Sequence, residues 1–216
     1  MKTKFTKVHS FLIPESFIQV NFIRGFKYID RAGEIVNNYH HNDTPPVFQM
    51  NLSGLVIEKP TKEIEEMKIS SGVFWTKFTN VNALDIASTA YCKEVEAITK
   101  ILDVTEINRI GWRTYFIYEF KNETEYSNFF SRFNKEQKIK TTTVKMLITE
   151  NGFSINYSLE NVVKNNDTKK TAVLFDVDIY TATKIHISEI KTKLREFREY
   201  LNDSDKGLLA IINKSF

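Results

Sequence analysis

Two short stretches hold the residues best suited to chemistry. In Arg109-Ile110-Gly111-Trp112-Arg113, a strand period of two sends Ile110, Trp112, Thr114 and Phe116 to one face. Arg109, Gly111 and Arg113 then share the other. Two guanidiniums flanking a notch without a side chain can clamp a carboxylate or a phosphate. The same period sends Asp176 and Asp178 together to the face opposite Val173, Phe175, Val177 and Ile179. Paired carboxylates can hold a divalent cation or share acid–base work. On neighbouring strands, however, the Arg and Asp pairs would neutralise one another across the sheet. That structural ladder is favoured over ligand or partner binding, and binding over catalysis.

A second set is basic. Lys164, Lys169 and Lys170 lie in a polar loop, and Lys191 and Arg195 lie on the last long helix, with Lys138 and Lys140 earlier in the same half. Together they are candidate phosphate contacts for a nucleic acid. Glu189, Glu196 and Glu199 interleave on the helix at ion-pairing distance, which also fits a merely solvated face.

Other constellations are sparse. The chain has no G-x-x-x-x-G-K-[ST], G-x-G-x-x-G or G-x-S-x-G motif, so phosphate-cradling loops and a nucleophile elbow are missing. Cys92 has no second cysteine and lies beside a helical apolar stripe, the setting of an inert thiol. His40-His41 with Asp43 is the nearest approach to a metal cluster, but it lacks a further ligand pattern and reads as a turn before Pro45-Pro46. His9 and His186 stand alone. No catalytic residue, metal or cofactor is expected.

The elements that must position these residues follow from periodicity. Ser16–Phe22 reads as a strand. Tyr28, Ile29, Ala32, Ile35, Val36 and Tyr39 form a helical stripe. Val47–Ile57 and Gly72–Val81 read as strands joined by an acidic connector at Glu63, Glu65 and Glu66. A long helix capped by Asn82 runs to Leu102, and a strand spans Glu106–Phe120. This order predicts a ferredoxin-like βαββαβ N-terminal half over residues 1–120. Residues 121–216 are expected to form an αβββα half packed on it, making one compact body. That half comprises a short helix at Glu123–Phe133, a hairpin turning at Asn151-Gly152, a strand through Val173–Ile179, and a helix with Ile187, Ile190, Leu194, Phe197 and Leu201. A final helix begins at Asp203-Ser204-Asp205 and carries Leu208, Leu209 and Ile212.

Composition sets the outer bounds. The 216 residues are 42% hydrophobic and 26% charged, with 17 Phe and 9 Tyr, as a globular α+β chain with a sizeable core requires. The net charge is +3, with 14 basic and 14 acidic residues up to Phe120 and 16 against 13 beyond it. So mild an excess permits nucleic-acid binding without demanding it. A single cysteine fits a reducing compartment. Phe11-Leu12-Ile13 stops at Pro14, too short for a secretory leader, and no apolar run approaches the ~20 residues of a membrane span. A cytoplasmic protein is expected.

The strand and helix motifs are similar to those of a sporadically distributed, uncharacterised prokaryotic family. That family carries an Arg-Ile-Gly-Leu-Arg-Tyr-like strand, a Leu-Asp-Ile-Asp-Val-Tyr-like strand and a C-terminal helix pair. The counterparts here are Arg109-Ile110-Gly111-Trp112-Arg113-Thr114-Tyr115, Leu174-Phe175-Asp176-Val177-Asp178-Ile179-Tyr180, and Leu194 to Leu209. Trp112 replaces the Leu, Thr114 intervenes before the Tyr, and Phe175 follows Leu174. The resemblance implies no activity, and its patchy distribution suggests a mobile or defence-linked setting.

The expectation is thus a non-catalytic macromolecule-binding protein, a subunit or regulator of a multi-protein prokaryotic system such as phage defence, with protein partners or as a homodimer. The alternatives are nucleic-acid binding by the basic C-terminal half and metal-dependent hydrolysis using Asp176 and Asp178.

Overall fold

The computed structural model describes residues 11–23, 25, 27–39, 46–81, 84–130, 144–150, 152–163 and 171–202. His9, His40, His41, Asp43, Asn82, Lys138, Lys140, Asn151, Lys164, Lys169, Lys170 and the expected final helix lie outside them.

Strand β1 (Glu15–Asn21) leads to two short helices, α1 (Lys27–Asp30) and α2 (Ala32–Asn37). Four strands follow: β2 (Val47–Asn51), β3 (Gly54–Glu58), β4 (Glu66–Ser70) and β5 (Val73–Thr79). After α3 (Leu84–Ile101) come β6 (Glu106–Ile107), β7 (Arg109–Glu119) and α4 (Glu123–Phe130). Strands β8 (Val144–Glu150), β9 (Phe153–Val163), β10 (Thr171–Thr181) and β11 (Ile185–His186) precede α5 (Ile190–Asn202).

The chain is mixed α+β. Nine strands form one sheet in the order β2-β3-β4-β5-β1-β7-β10-β9-β8, and every neighbouring pair is antiparallel. This sheet is larger than the four-stranded one expected of a ferredoxin-like half. It continues without a break from β7 to β10, across the expected boundary at residues 120–121. Two further elements depart from the sequence reading. The stretch 47–57 is a hairpin, because Asn51 Oδ1 accepts the Ser53 N–H at 2.7 Å and turns the chain. Gly54 then lies so close to β4 that a Cβ would come within 2.6 Å of the Ile69 carbonyl oxygen. The expected acidic connector ends in β4, where Met67 and Ile69 alternate inward between Glu66, Lys68 and Ser70.

Among the described residues, helices α2 to α5 pack on one side of the sheet. Tyr39 at the end of α2 reaches Met67 and Glu94, Tyr91 of α3 stacks on Phe74 at 5.5 Å, and Phe129 of α4 meets Phe175 edge-on at 6.5 Å. Phe197 and Tyr200 of α5 pack against Phe153 at 5.6 and 5.3 Å. Fully buried Trp112 donates its indole N–H to Ser16 Oγ at 2.7 Å, and that oxygen also pairs with Thr114 Oγ1 at 3.0 Å. A polar rivet thus joins β1 to β7 inside an apolar layer, with each polar atom satisfied.

Among the described residues, β2 and β8 are at the ends of the sheet. Strand β2 contains no charged residue, and Val47 and Met50 are exposed, as is Leu52 in the turn. No described helix is long and apolar enough to cross a membrane.

Buried Glu94, on α3, accepts the Tyr39 hydroxyl at 2.5 Å. Burial first, then the adjacent Glu94 carboxylate, pushes the Tyr39 phenol far above its ordinary range, so it stays a donor. Tyr39→Phe leaves a buried carboxylate short of one donor, and the expected loss of stability is ~1–3 kcal/mol. Urea unfolding checks this, and an unchanged midpoint would refute it.

Candidate functional site

Strict alternation leaves the opposite face of the sheet without a helix among the described residues. On β1 and β5, every second residue is buried and those between are partly exposed. The partly exposed positions place Trp75, Phe17 and Tyr115 in a row across β5, β1 and β7. Ring centroids lie 6.1 Å apart for Phe17–Trp75 and 6.3 Å for Phe17–Tyr115, both edge-to-face. Such pairs contribute ~0.5–1.5 kcal/mol beyond their area burial. Lys77 Nζ sits 5.7 Å above the Phe17 ring, and Arg113 Cζ 5.2 Å from that of Tyr115.

The candidate Arg and Asp pairs lie beside this row. Strands β7 and β10 are neighbours, with Asp176 opposite Tyr115 and Asp178 opposite Arg113. Arg113 grips Asp176 with two parallel bonds, Nε to Oδ1 at 2.8 Å and a terminal N–H to Oδ2 at 2.6 Å. This fork holds the Arg113 guanidinium protonated well above its ordinary range. Arg109 meets Asp178 more loosely, at 3.4 Å, and lies 4.8 Å over the Tyr180 ring.

The notch at Gly111 is not open. A Cβ there would come 2.7 Å from a terminal nitrogen of Arg109, so the guanidinium itself lies over the glycine. The two cations therefore engage carboxylates, and an anion could recruit them only by breaking those bonds. A divalent cation at Asp176 would likewise have to displace Arg113 from both oxygens. Among the described residues, no group of three His, Cys, Asp or Glu is placed to hold a metal. A shallow depression of about 470 Å3 borders Arg113, Lys145, Asn156, Ser158, Asp176 and Asp178.

Of the basic candidates within the described residues, Lys191 and Arg195 line a separate groove on the helical side, between α3 and α5. Cys92 also lines it, half-buried. Burial and then Glu96 push its thiol up, while Lys191 draws it partly back. His186 caps the turn ahead of α5: its Nδ1 accepts the Ser188 N–H at 3.2 Å, and its own N–H is held by Glu189 at 3.1 Å.

The sequence reading missed the aromatic row. Its signal is present: Phe17, Trp75 and Tyr115 each fall out of phase with the buried residues of their own strand. In comparisons with known proteins, no family model, curated sequence or solved structure matches this chain.

The two Asp–Arg contacts are unequal. Burial, against the pull of Arg109 and Arg113, raises the Asp178 carboxyl above its ordinary value. Asp178 thus favours folding while protonated, and that contribution fades as pH rises through its raised native pKa. Asp178→Asn is expected to unfold at or above the wild-type temperature at neutral pH. Its advantage should vanish on acidification below the ordinary aspartate range. Asp176→Asn loses the fork and should cost up to ~1 kcal/mol, the upper range for solvent-accessible pairs. Thermal unfolding across that pH range checks both, and equal losses for the two variants would refute the contrast.

Proposed function

We propose that the chain is a non-catalytic binding protein that engages a protein partner through the helix-free face of its sheet. The observation that carries this reading is the Trp75–Phe17–Tyr115 row, contiguous over three strands and partly exposed. Aromatic side chains and Arg are the residue types that dominate interface energetics, best at a centre ringed by polar groups. Around the row Lys77 pairs with Glu15 at 2.7 Å, Arg113 with Asp176 and Arg109 with Asp178, while Lys68, opposite Trp75, makes no ion pair among the described residues. A rim in which most cations already hold a carboxylate discriminates by charge pattern and favours a protein over a polyanion.

In this reading the Arg–Asp ladder sets the rim and does no chemistry, and the protein works in the cytoplasm as a subunit or regulator of a larger assembly, with phage defence as one setting. We further read residues 1–120 as an enlarged βαββαβ unit, with β2 and β3 as an added hairpin. Support comes from β1 lying between β5 and β7, the two strands that α3 connects.

A photo-reactive benzoylphenylalanine at Tyr115, with Lys93 as a control position, tests the docking face in cells. Discrete protein adducts are expected from position 115 and not from 93. Trp75→Ala should abolish them, since a central aromatic anchor is worth ~2 kcal/mol or more. A self-adduct of doubled mass would identify the partner as a second copy. Absence of adducts at 115, or adducts indifferent to Trp75→Ala in a folded variant, would overturn the proposal.

A further inference from the structure

The helical side carries a surface of different character. Helices α3 and α5 pack side by side, and the groove between them has a volume of about 500 Å3. Four cations line it, Lys93 from α3 and Lys191, Arg195 and Arg198 from α5, against one carboxylate, Glu96. Hydroxyls from both helices, Thr89 and Thr192, add neutral donors.

Two of these four cations are unmatched. Arg198 is tied to Asp85 at 2.5 Å, but Arg195 lies 4.0 Å from Glu199. Lys93 and Lys191 are exposed and, among the described residues, make no ion pair. Neither has an existing ion pair to break, and like charges gathered on two walls of one groove draw a counter-charge between them.

The spacing indicates the form of that counter-charge. Lys191 and Arg195 are four residues apart on one helix, ~6 Å at 1.5 Å per residue, and Lys93 faces them from α3. Donors built for a single phosphate converge on a point, whereas these are strung along a line. At ~3.4 Å of helix axis per phosphate of one strand, such a line spans about two or three backbone phosphates. We propose that the α3–α5 groove binds the phosphodiester backbone of a nucleic acid, without reading its sequence. Lys93 and Lys191 are the principal phosphate contacts, Arg195 supplies a third, and Glu96 limits the affinity. The site is independent of the protein-docking face.

Fluorescence anisotropy of the full chain with labelled mixed-sequence DNA and RNA oligonucleotides, single- and double-stranded, tests the site. Binding is expected at about 50 mM salt, with log K falling against log salt at a slope of about −2 to −3. The Lys93→Gln/Lys191→Gln double variant should bind about tenfold more weakly and flatten that slope by 1 or more. Lys62→Gln, in the loop between β3 and β4 and outside both surfaces, should change neither. Bound oligonucleotide should also slow alkylation of Cys92 severalfold, locating the strand in the groove. No binding at low salt, or binding that the double variant leaves intact, would overturn the proposal. So would displacement of the oligonucleotide by inorganic phosphate, a mononucleotide or oligoglutamate at concentrations comparable to its own, since the site would then take a small phosphate or an acidic peptide.

Discussion

The pairing of β7 with β10 holds the molecule to one arrangement. The register runs from Glu119↔Ala172 to Ile110↔Thr181 and joins a five-stranded wing, β2 to β5 with β1, to the three strands β8 to β10. Side chains on a strand alternate with a period of two, so a slip of one residue would send the inward set outward. A slip of β10 would cost Phe175 its place against Phe11 and Phe129, and a slip of β7 would cost Trp112 its bond to Ser16. The same slip would bury the guanidinium of Arg113. The core and the polar face thus enforce the register together, and the Arg113–Asp176 fork works as a registration device as much as an ion pair.

This constraint separates the molecule into two electrostatic regimes. On the sheet face, basic and acidic groups are brought together by strand register, and their fields largely cancel at short range. On the helical side, the cations of α3 and α5 come from separate elements that pack along their apolar stripes. Arg198 pairs with Asp85 across the two helices, and Lys93 and Lys191 are left as an excess. A net charge of +3 over the whole chain conceals this division.

Much of the frame was legible because it rests on local patterns. The inward sets Phe153, Ile155, Tyr157, Leu159 and Val173, Phe175, Val177, Ile179 are buried as their alternation requires. Gly152 takes the positive φ of +79° that the hairpin signal demands. Helix α3 follows its stripe from Leu84 to Leu102. The misses have equally local causes. Leu52 is apolar yet lies fully exposed in a turn, so it extended an apolar run that Asn51 in fact ends. The charges at Glu63, Glu65 and Glu66 obscured the short alternation of β4. Neither surface was legible as a whole: the aromatic row joins strands from residues 17, 75 and 115, and Lys93 meets Lys191 only after the helices pack. Juxtapositions across the chain come from topology, and single-strand periodicity carries no information about them.

One feature of the perimeter has a practical side. Strand β2 is the outermost at one border of the sheet among the described residues, and no lysine, glutamate or proline interrupts Val47 to Asn51. Natural sheets usually carry such gatekeepers at their borders. A chain lacking them there meets its solubility ceiling through lateral stacking of sheets, so crowding and slow refolding are the conditions under which material is lost. A cationic residue introduced at Met50 would raise that ceiling without touching either binding surface.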